Sequence, residues 1–271
     1  MAEREIRIHN KSDRPDNVIK KENDMYLECE KLEDGLPRFL RGFFSYLKGN
    51  VLPATRLAYL HDIMFFFKYL IEETDLTQAE TPDKIKLSDL EEVQAVDVNL
   101  FLDYCRRYKV DTGDTVYVYE NSNKSLARKK SSVSVLFKQL YRDELLDKNI
   151  TDGFDPIRVP RPGEREIKAL QDDEVMLMLD AVSAGSGLTE REHAYWKKTK
   201  KRDKAILILF LTYGLRLSEL QQLNLSSFNF HRGEFIIYRK RGKESVMPLN
   251  QSATAVLHDY IDNERNLISI S

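Results

Sequence analysis

Hydrophobic residues recur every three to four positions along most of the chain, and this spacing predicts a mainly α-helical fold. The apolar faces of the predicted helices lie within residues 36–47, 57–71, 96–104, 126–145, 175–182 and 255–261. A denser apolar run covers residues 205–211 and ends shortly before Gly214. This run is far too short to span a bilayer, so no membrane partner is expected.

Short β-structure is predicted at two places where apolar residues are bounded by turn residues. Residues 116–119 form a candidate strand within a loop or small hairpin at 110–123. Residues 235–238 and 245–249 flank a basic turn at 239–243 and predict a β-hairpin. If residues 227–230 also pair, the hairpin becomes a three-stranded meander. The predicted fold class is mainly α with a small β-hairpin or meander.

Proline and arginine residues mark a linker in the middle of the chain. The segment 151–167 contains Pro156, Pro160 and Pro162 together with three arginines, one of which is Arg161. Such a segment is extended and basic, and it is the natural boundary between two domains. We therefore expect a helical domain over residues 35–150 and a second domain over 168–271. Residues 1–34 are polar and predict a poorly ordered N-terminal arm.

Composition and charge narrow the function only slightly. The net charge of −2 does not indicate nucleic acid, so only a local cluster of basic residues could do so. The two cysteines, Cys29 and Cys105, have no metal-ligand spacing, and we expect thiols of a reducing compartment and no metal site. The N-terminus lacks the apolar core of a signal peptide, which predicts a cytoplasmic location.

One predicted helix begins with a basic cluster. Lys124, Arg128, Lys129 and Lys130 are interleaved with serines, and no acidic residue lies among them. Positive charge at a helix N-terminus opposes the helix dipole. Two interpretations are open: a solvated basic face, or a face that contacts the phosphates of DNA.

The segment after the apolar run carries the candidate chemistry. Arg216 follows Gly214 and lies between two leucines, and its burial would be costly unless it met an anion. Lys240 follows twenty-four residues later in the basic turn of the hairpin. An arginine can bind two phosphate oxygens, and a lysine can protonate a leaving oxygen. The alternatives are an arginine that caps backbone carbonyls and a merely solvated turn.

These residues resemble a known family. The segments 202–220 and 238–249 are similar to the catalytic-arginine motif and the catalytic-lysine hairpin of the tyrosine recombinases, the phage integrase and Xer-like family. The resemblance implies a helical core-binding (SAM-like) domain, followed by part of an α+β catalytic domain. It assigns catalytic roles to Arg216, Lys240 (with Lys243 as second choice) and Glu219, the last to orient neighbouring groups. The expected DNA-binding residues are Thr55, Arg56, Lys124, Arg128, Lys129, Lys130, Arg161, Arg239, Arg241 and Lys243.

The resemblance implies a DNA strand transferase that acts through a 3′-phosphotyrosine without metal, nucleotide or other cofactor. Its partners would be double-stranded DNA and, in a full-length form, further copies in a tetramer on DNA. The family's His-x-x-Arg motif and nucleophilic tyrosine are not found after the hairpin, where Tyr260 is the one tyrosine and is interpreted as a core residue. We therefore expect weak DNA binding without cleavage. The alternatives are a non-catalytic DNA-binding or regulatory protein and a helical protein-interaction domain.

Overall fold

The computed structural model describes residues 16–160, 169–239 and 243–266. Contacts divide the chain into two compact units. The helical unit consists of residues 19–165, and the mixed unit consists of residues 166–271 together with residues 1–18. Both units are mainly helical with small antiparallel sheets, which confirms the predicted fold class.

Helices and one hairpin build the first half of the chain. The helices are α1 (Asp16–Asp34), α2 (Arg41–Asn50), α3 (Pro53–Glu73), α4 (Leu87–Glu92), α5 (Ala95–Arg106) and α6 (Asn123–Arg142). The hairpin between α5 and α6 consists of β1 (Arg107–Asp111) and β2 (Val116–Glu120). The core of the helical unit is rich in phenylalanine, and its largest fully buried side chains include those of Phe43, Phe66, Phe67, Phe101 and Phe137. Burial of large apolar side chains stabilises the unit, by roughly 1.5–3 kcal/mol for each.

The first helix corrects the expectation of a poorly ordered arm over residues 1–34. From Asp16 onward that prediction is wrong, because α1 is a helix of 19 residues. Its sequence has few apolar residues, but the side chain of Cys29 is fully buried and Leu32 packs against the core. Glu33 near the end of α1 binds Arg56 of α3. These contacts lie far apart in sequence, so local periodicity does not reveal them.

Helix α3 begins at Pro53, with Leu52 at the cap position. The backbone N–H of Thr55 donates to the carbonyl of Leu52 at 2.9 Å, within the first helical turn. Proline is favoured at the first position because its fixed φ suits the helix and its missing N–H needs no partner there.

The mixed unit combines helices with a three-stranded meander. Its helices are α7 (Asp172–Ala184), α8 (Glu190–Tyr213), α9 (Leu217–Gln221) and α10 (Gln251–Tyr260), and a single π-turn covers Ile261–Arg265. The strands are β3 (Phe228–Asn229), β4 (Glu234–Arg239) and β5 (Lys243–Pro248), paired antiparallel in the order β3-β4-β5. The pairing of β3 decides for the meander over the two-stranded hairpin.

A small core fixes α8 and α10 against the meander. Its buried residues include Leu209 of α8, Phe235 and Ile237 of β4, and Leu257 of α10. Tyr260 is half-buried and packs against this core, in agreement with its interpretation as a core residue. Among the described residues, no helix is both long enough and apolar enough to cross a membrane.

Candidate phosphate-binding and DNA-binding sites

Arg216 lies at the junction between α8 and α9. Gly214 ends α8 in the left-handed conformation, with φ of 58°, which glycine adopts without strain. Arg216 is the N-cap residue of α9, and 70% of its side chain is exposed. The cost expected for a buried arginine therefore does not arise in the folded chain. Its leucine neighbours differ from it in environment, since Leu215 is buried whereas Leu217 is exposed.

Glu219 accepts two hydrogen bonds from Arg216. Its carboxylate accepts the backbone N–H of Arg216 at 2.9 Å and the Nη1 of the same residue at 2.6 Å. Glu219 itself is buried, with 4% of its surface exposed. Burial alone would raise the pKa of Glu219, but the two hydrogen bonds from Arg216 and the charges of Arg216 and Arg239 outweigh it and lower that pKa. Arg216 is thus bound to a carboxylate, which differs from the alternative of an arginine that caps backbone carbonyls.

The basic hairpin reaches the same acid. Arg239 ends β4, is exposed, and contributes to the lowered pKa of Glu219. Lys243 begins β5 and pairs with Arg239 across the two strands. The structure thus places Arg239 of the hairpin near Arg216 and Glu219. Lys240 and Arg241 lie outside the described residues.

The geometry of this cluster suits an anion. One nitrogen of the Arg216 guanidinium is used by Glu219, while most of the side chain faces solvent. A guanidinium has five N–H donors in a planar fork, so donors remain for an external oxygen. Glu219 fixes the direction in which they point.

The basic face of α6 differs from both interpretations given above. Lys129 is buried, with its Nζ 3.3 Å from Asp62 Oδ1 and 4.5 Å from the centre of the Phe65 ring. Arg128 is partly exposed but ion-paired with Asp62. The Nζ of Lys130 donates to the backbone carbonyls of Phe154 and Asp155, which lie outside α6. The prediction that Lys129 contacts DNA is therefore wrong. Arg128 and Lys130 were also predicted to contact DNA, and both have partners within the protein.

The remaining predicted contacts divide into three groups. Arg56 is a further wrong prediction, because it is 3% exposed and donates from Nε and Nη2 to Glu33 Oε1 at 3.0 and 2.5 Å. Thr55 is half-buried, whereas Lys124 is exposed in the first turn of α6. Arg161 lies outside the described residues.

Two features were missed by the sequence analysis. Arg38 and Arg41 are exposed beside the start of α2, where they line a surface groove with Lys48. Their spacing of three residues without an intervening acid was the available signal. The buried acid Asp62, which organises α6, gave no such signal because its partners lie about seventy residues away.

The lowered pKa of Glu219 leads to a prediction about pH. A depressed pKa in the folded state means that the ionised carboxylate stabilises the fold above its unfolded pKa, and that this contribution is lost as pH falls through the folded pKa. We expect Glu219→Gln to lower the unfolding free energy of the mixed unit by about 1–2 kcal/mol at neutral pH. This difference in unfolding free energy should shrink as the pH falls below the usual pKa range of glutamate, because the wild-type carboxylate then becomes protonated. Urea titrations at several pH values would measure it, and a loss that is independent of pH would contradict the assignment.

Comparison with known proteins places the second half of the chain in a family. Residues 168–270 match the sequence model described as the phage integrase family. The chain is 27% identical over 250 residues to the tyrosine recombinase XerC of Caldanaerobacter subterraneus subsp. tengcongensis, covering 90% of this chain and 63% of the relative. It is 30% identical over 223 residues to the tyrosine recombinase XerS of Streptococcus pyogenes serotype M1, covering 76% of this chain and 62% of the relative. The chain therefore spans less than two thirds of the length of these relatives.

Solved structures show looser likenesses. XerH recombinase bound to difH substrate in a pre-cleavage complex aligns with a TM-score of 0.48 at 15% identity, covering 96% of this chain and 66% of that one. The Tn1549 transposon integrase in complex with a circular intermediate DNA aligns with a TM-score of 0.45 at 17% identity, covering 87% and 65%. The family match defines a phage integrase domain in the second half of the chain. The match over residues 168–270 and the similarity to the tyrosine recombinases XerC and XerS confirm the resemblance found in the sequence.

Proposed function

We propose that this chain binds double-stranded DNA and holds a backbone phosphate at Arg216, as part of a site-specific recombinase or integrase. The observation that carries the proposal is the Arg216–Glu219 pair beside Arg239, within the segment that matches the phage integrase family. The similarity to the tyrosine recombinases XerC and XerS supports the choice of DNA as substrate. In this proposal Arg216 supplies donors to the phosphate and Glu219 orients it.

The helical unit would serve as the core-binding domain, and the predicted boundary at residues 151–167 would be the linker between the two domains. After correction, its candidate DNA contacts are Lys124 and the partly buried Thr55, with Arg38 and Arg41 as additions. Arg239 and Lys243 are the candidates in the mixed unit, and Lys240 and Arg241 remain proposals from sequence. The strand-transfer chemistry that we propose for the complete site proceeds through a 3′-phosphotyrosine. The proposed location is the cytoplasm, and the proposed assembly is a tetramer of recombinase copies on DNA.

A salt titration of DNA binding tests the role of Arg216. We expect Arg216→Ala to weaken binding to duplex DNA and to reduce the slope of log K against log salt by about one, because one phosphate contact is lost. The matched control is Arg232→Ala, since Arg232 is also exposed in the mixed unit and its guanidinium forms a long ion pair of 3.8 Å with Glu234. The control should retain the wild-type slope. Equal slopes for both variants and the wild type would contradict the proposed phosphate site.

The alternative function, a non-catalytic DNA-binding protein of this family, makes a different prediction. A suicide DNA substrate traps a covalent protein–DNA adduct only if a tyrosine attacks the phosphate. The absence of a His-x-x-Arg motif from the 271 residues favours binding without an adduct for this chain. An adduct would instead show that a nucleophile is present, and Tyr260→Phe would then be the first variant to examine.

A further inference from the structure

The hairpin β1–β2 forms a sheet of two strands with two free edges. In the described part of the chain, no third strand pairs with either edge. All five residues of β2 are exposed, and Val116, Tyr117, Val118 and Tyr119 are large apolar side chains with 46–53% exposure. The base of the hairpin is anchored, because the ring of Tyr108 stacks on that of Tyr119 and also contacts Phe65 of α3. An exposed apolar strand edge is a template for pairing with another chain.

The register of the hairpin shows which backbone groups the free edge presents. The N–H of Thr112 donates to the carbonyl of Thr115, and that of Asn121 donates to the carbonyl of Arg106. Hydrogen-bonded and non-hydrogen-bonded pairs alternate in an antiparallel ladder. The register therefore makes Lys109 and Val118 a non-hydrogen-bonded pair. The N–H and C=O of Val118 consequently point away from β1, toward the open side, as do those of Val116 and Glu120.

The two edges differ in chemistry. On the β1 side, the residues with outward-pointing backbone groups are Arg107, Lys109 and Asp111, all of which are charged. Charged residues on an edge discourage pairing with another strand. On the β2 side, the corresponding residues are Val116, Val118 and Glu120, of which only the last is charged. The β2 edge is thus the unprotected one.

We propose that the β2 edge pairs with the same edge of a second copy of this chain, in an antiparallel arrangement centred on Val118. In this register Val118 faces Val118, Tyr117 faces Tyr119 and Val116 faces Glu120, so no like charges are opposed. The same arrangement on the β1 edge would place Lys109 against Lys109. The β2 strand contains no lysine or arginine, and Asp111 and Asp114 lie near the tip, so DNA is disfavoured as the occupant of this edge. The pairing does not depend on the proposed phosphate site.

The strength of this contact follows from its size. A strand of five residues buries much less than the roughly 1,200 Å² of a specific stable interface. Dimers should therefore form only at high concentration in free solution. When two copies are held near each other, a higher effective concentration favours the same contact.

Sedimentation equilibrium of the whole chain without DNA, from micromolar to millimolar concentration, tests the proposal. Val118→Pro removes an outward N–H without breaking the β1–β2 ladder, and we expect it to reduce the association constant by about tenfold or more. Lys109→Pro is the matched control, because it removes an outward N–H from the opposite edge. We expect it to leave association unchanged. A wild-type chain that stays monomeric, equal effects of the two prolines, or a loss of DNA affinity in place of self-association would each overturn the proposal.

A cysteine experiment keeps the test valid if a proline variant does not fold. The paired Cα atoms of Val118 would lie about 5.5 Å apart, which is within disulfide reach. Cys29 and Cys105 are both buried, and burial raises the pKa of the Cys105 thiol to about 12, so a new surface cysteine would be the reactive one. Oxidation of Val118→Cys should give a covalent dimer, while Lys109→Cys should give little. Equal cross-linking of the two variants would contradict the β2 edge as the interface.

Discussion

Replacement of Asp62 by alanine is expected to lower the unfolding free energy of the helical unit by about 3–5 kcal/mol. Asp62 is 2% exposed, and its carboxylate accepts from Arg128, from Lys129 Nζ at 3.3 Å and from Ser132 Oγ at 2.7 Å. Without the acid, Lys129 is a buried cation beside the Phe65 ring, with its ion-pair partner removed. A buried charge that loses its partner is far more costly than an exposed one.

Chemical denaturation monitored by circular dichroism would measure the change. The control is Asp103→Ala, because Asp103 is 79% exposed and forms a 3.5 Å ion pair with Arg106 on the same helix. Exposed pairs contribute about 0–1 kcal/mol, so the control should be close to wild type. Combining Asp62→Leu with Lys129→Met removes both buried charges and should recover part of the loss. An effect of Asp62→Ala as small as that of the control would contradict a structural role for this cluster.

The second large effect is expected at Glu264, in the π-turn after α10. Its carboxylate accepts the backbone N–H groups of Lys201 and Arg202, both at 3.0 Å, in the middle of α8. Glu264 is 7% exposed. We expect Glu264→Ala to destabilise the mixed unit by about 2–3 kcal/mol, because two charge-assisted hydrogen bonds in a poorly solvated place are lost.

Two variants make this test specific. Glu264→Gln keeps one acceptor oxygen without charge, and its unfolding free energy should lie between those of the wild type and Glu264→Ala. Asp262→Ala in the same turn is the control, since Asp262 is 61% exposed and contacts only His258 at 3.6 Å among the ion pairs of the described residues. Faster hydrogen exchange of the backbone amides of Lys201 and Arg202 in Glu264→Ala would locate the effect in α8. Equal stability of the alanine variants at both positions would contradict it.

Local patterns in the sequence predicted much of this fold. The apolar spacing located α3, α5 and α6, and the basic turn located the meander, because these elements are determined by neighbours three or four positions away. Arg216 and Glu219 are also close in sequence, but the orienting role of Glu219 was expected only from the resemblance to the tyrosine recombinases. By contrast, α1 has a narrow apolar face, and its burial depends on contacts with α3.

The roles of the basic residues were harder to predict. Lys129 and Arg56 look like surface cations in the sequence, yet each is buried against an acid that lies 67 or 23 residues away. Glu264 and its backbone partners in α8 are separated by more than sixty residues. Periodicity reports which face of a helix is apolar, but it does not report which acid lies opposite a given lysine.

The local tether between Glu219 and Arg216 has a consequence for binding kinetics and affinity. A free arginine side chain has about 2 kcal/mol of rotamer entropy, part of which is lost whenever it is immobilised by a ligand. Here Glu219, anchored in the same short helix, orders the guanidinium when the unit folds. An arriving anion therefore meets a preorganised donor, and less conformational entropy is lost in the binding step than at an untethered arginine.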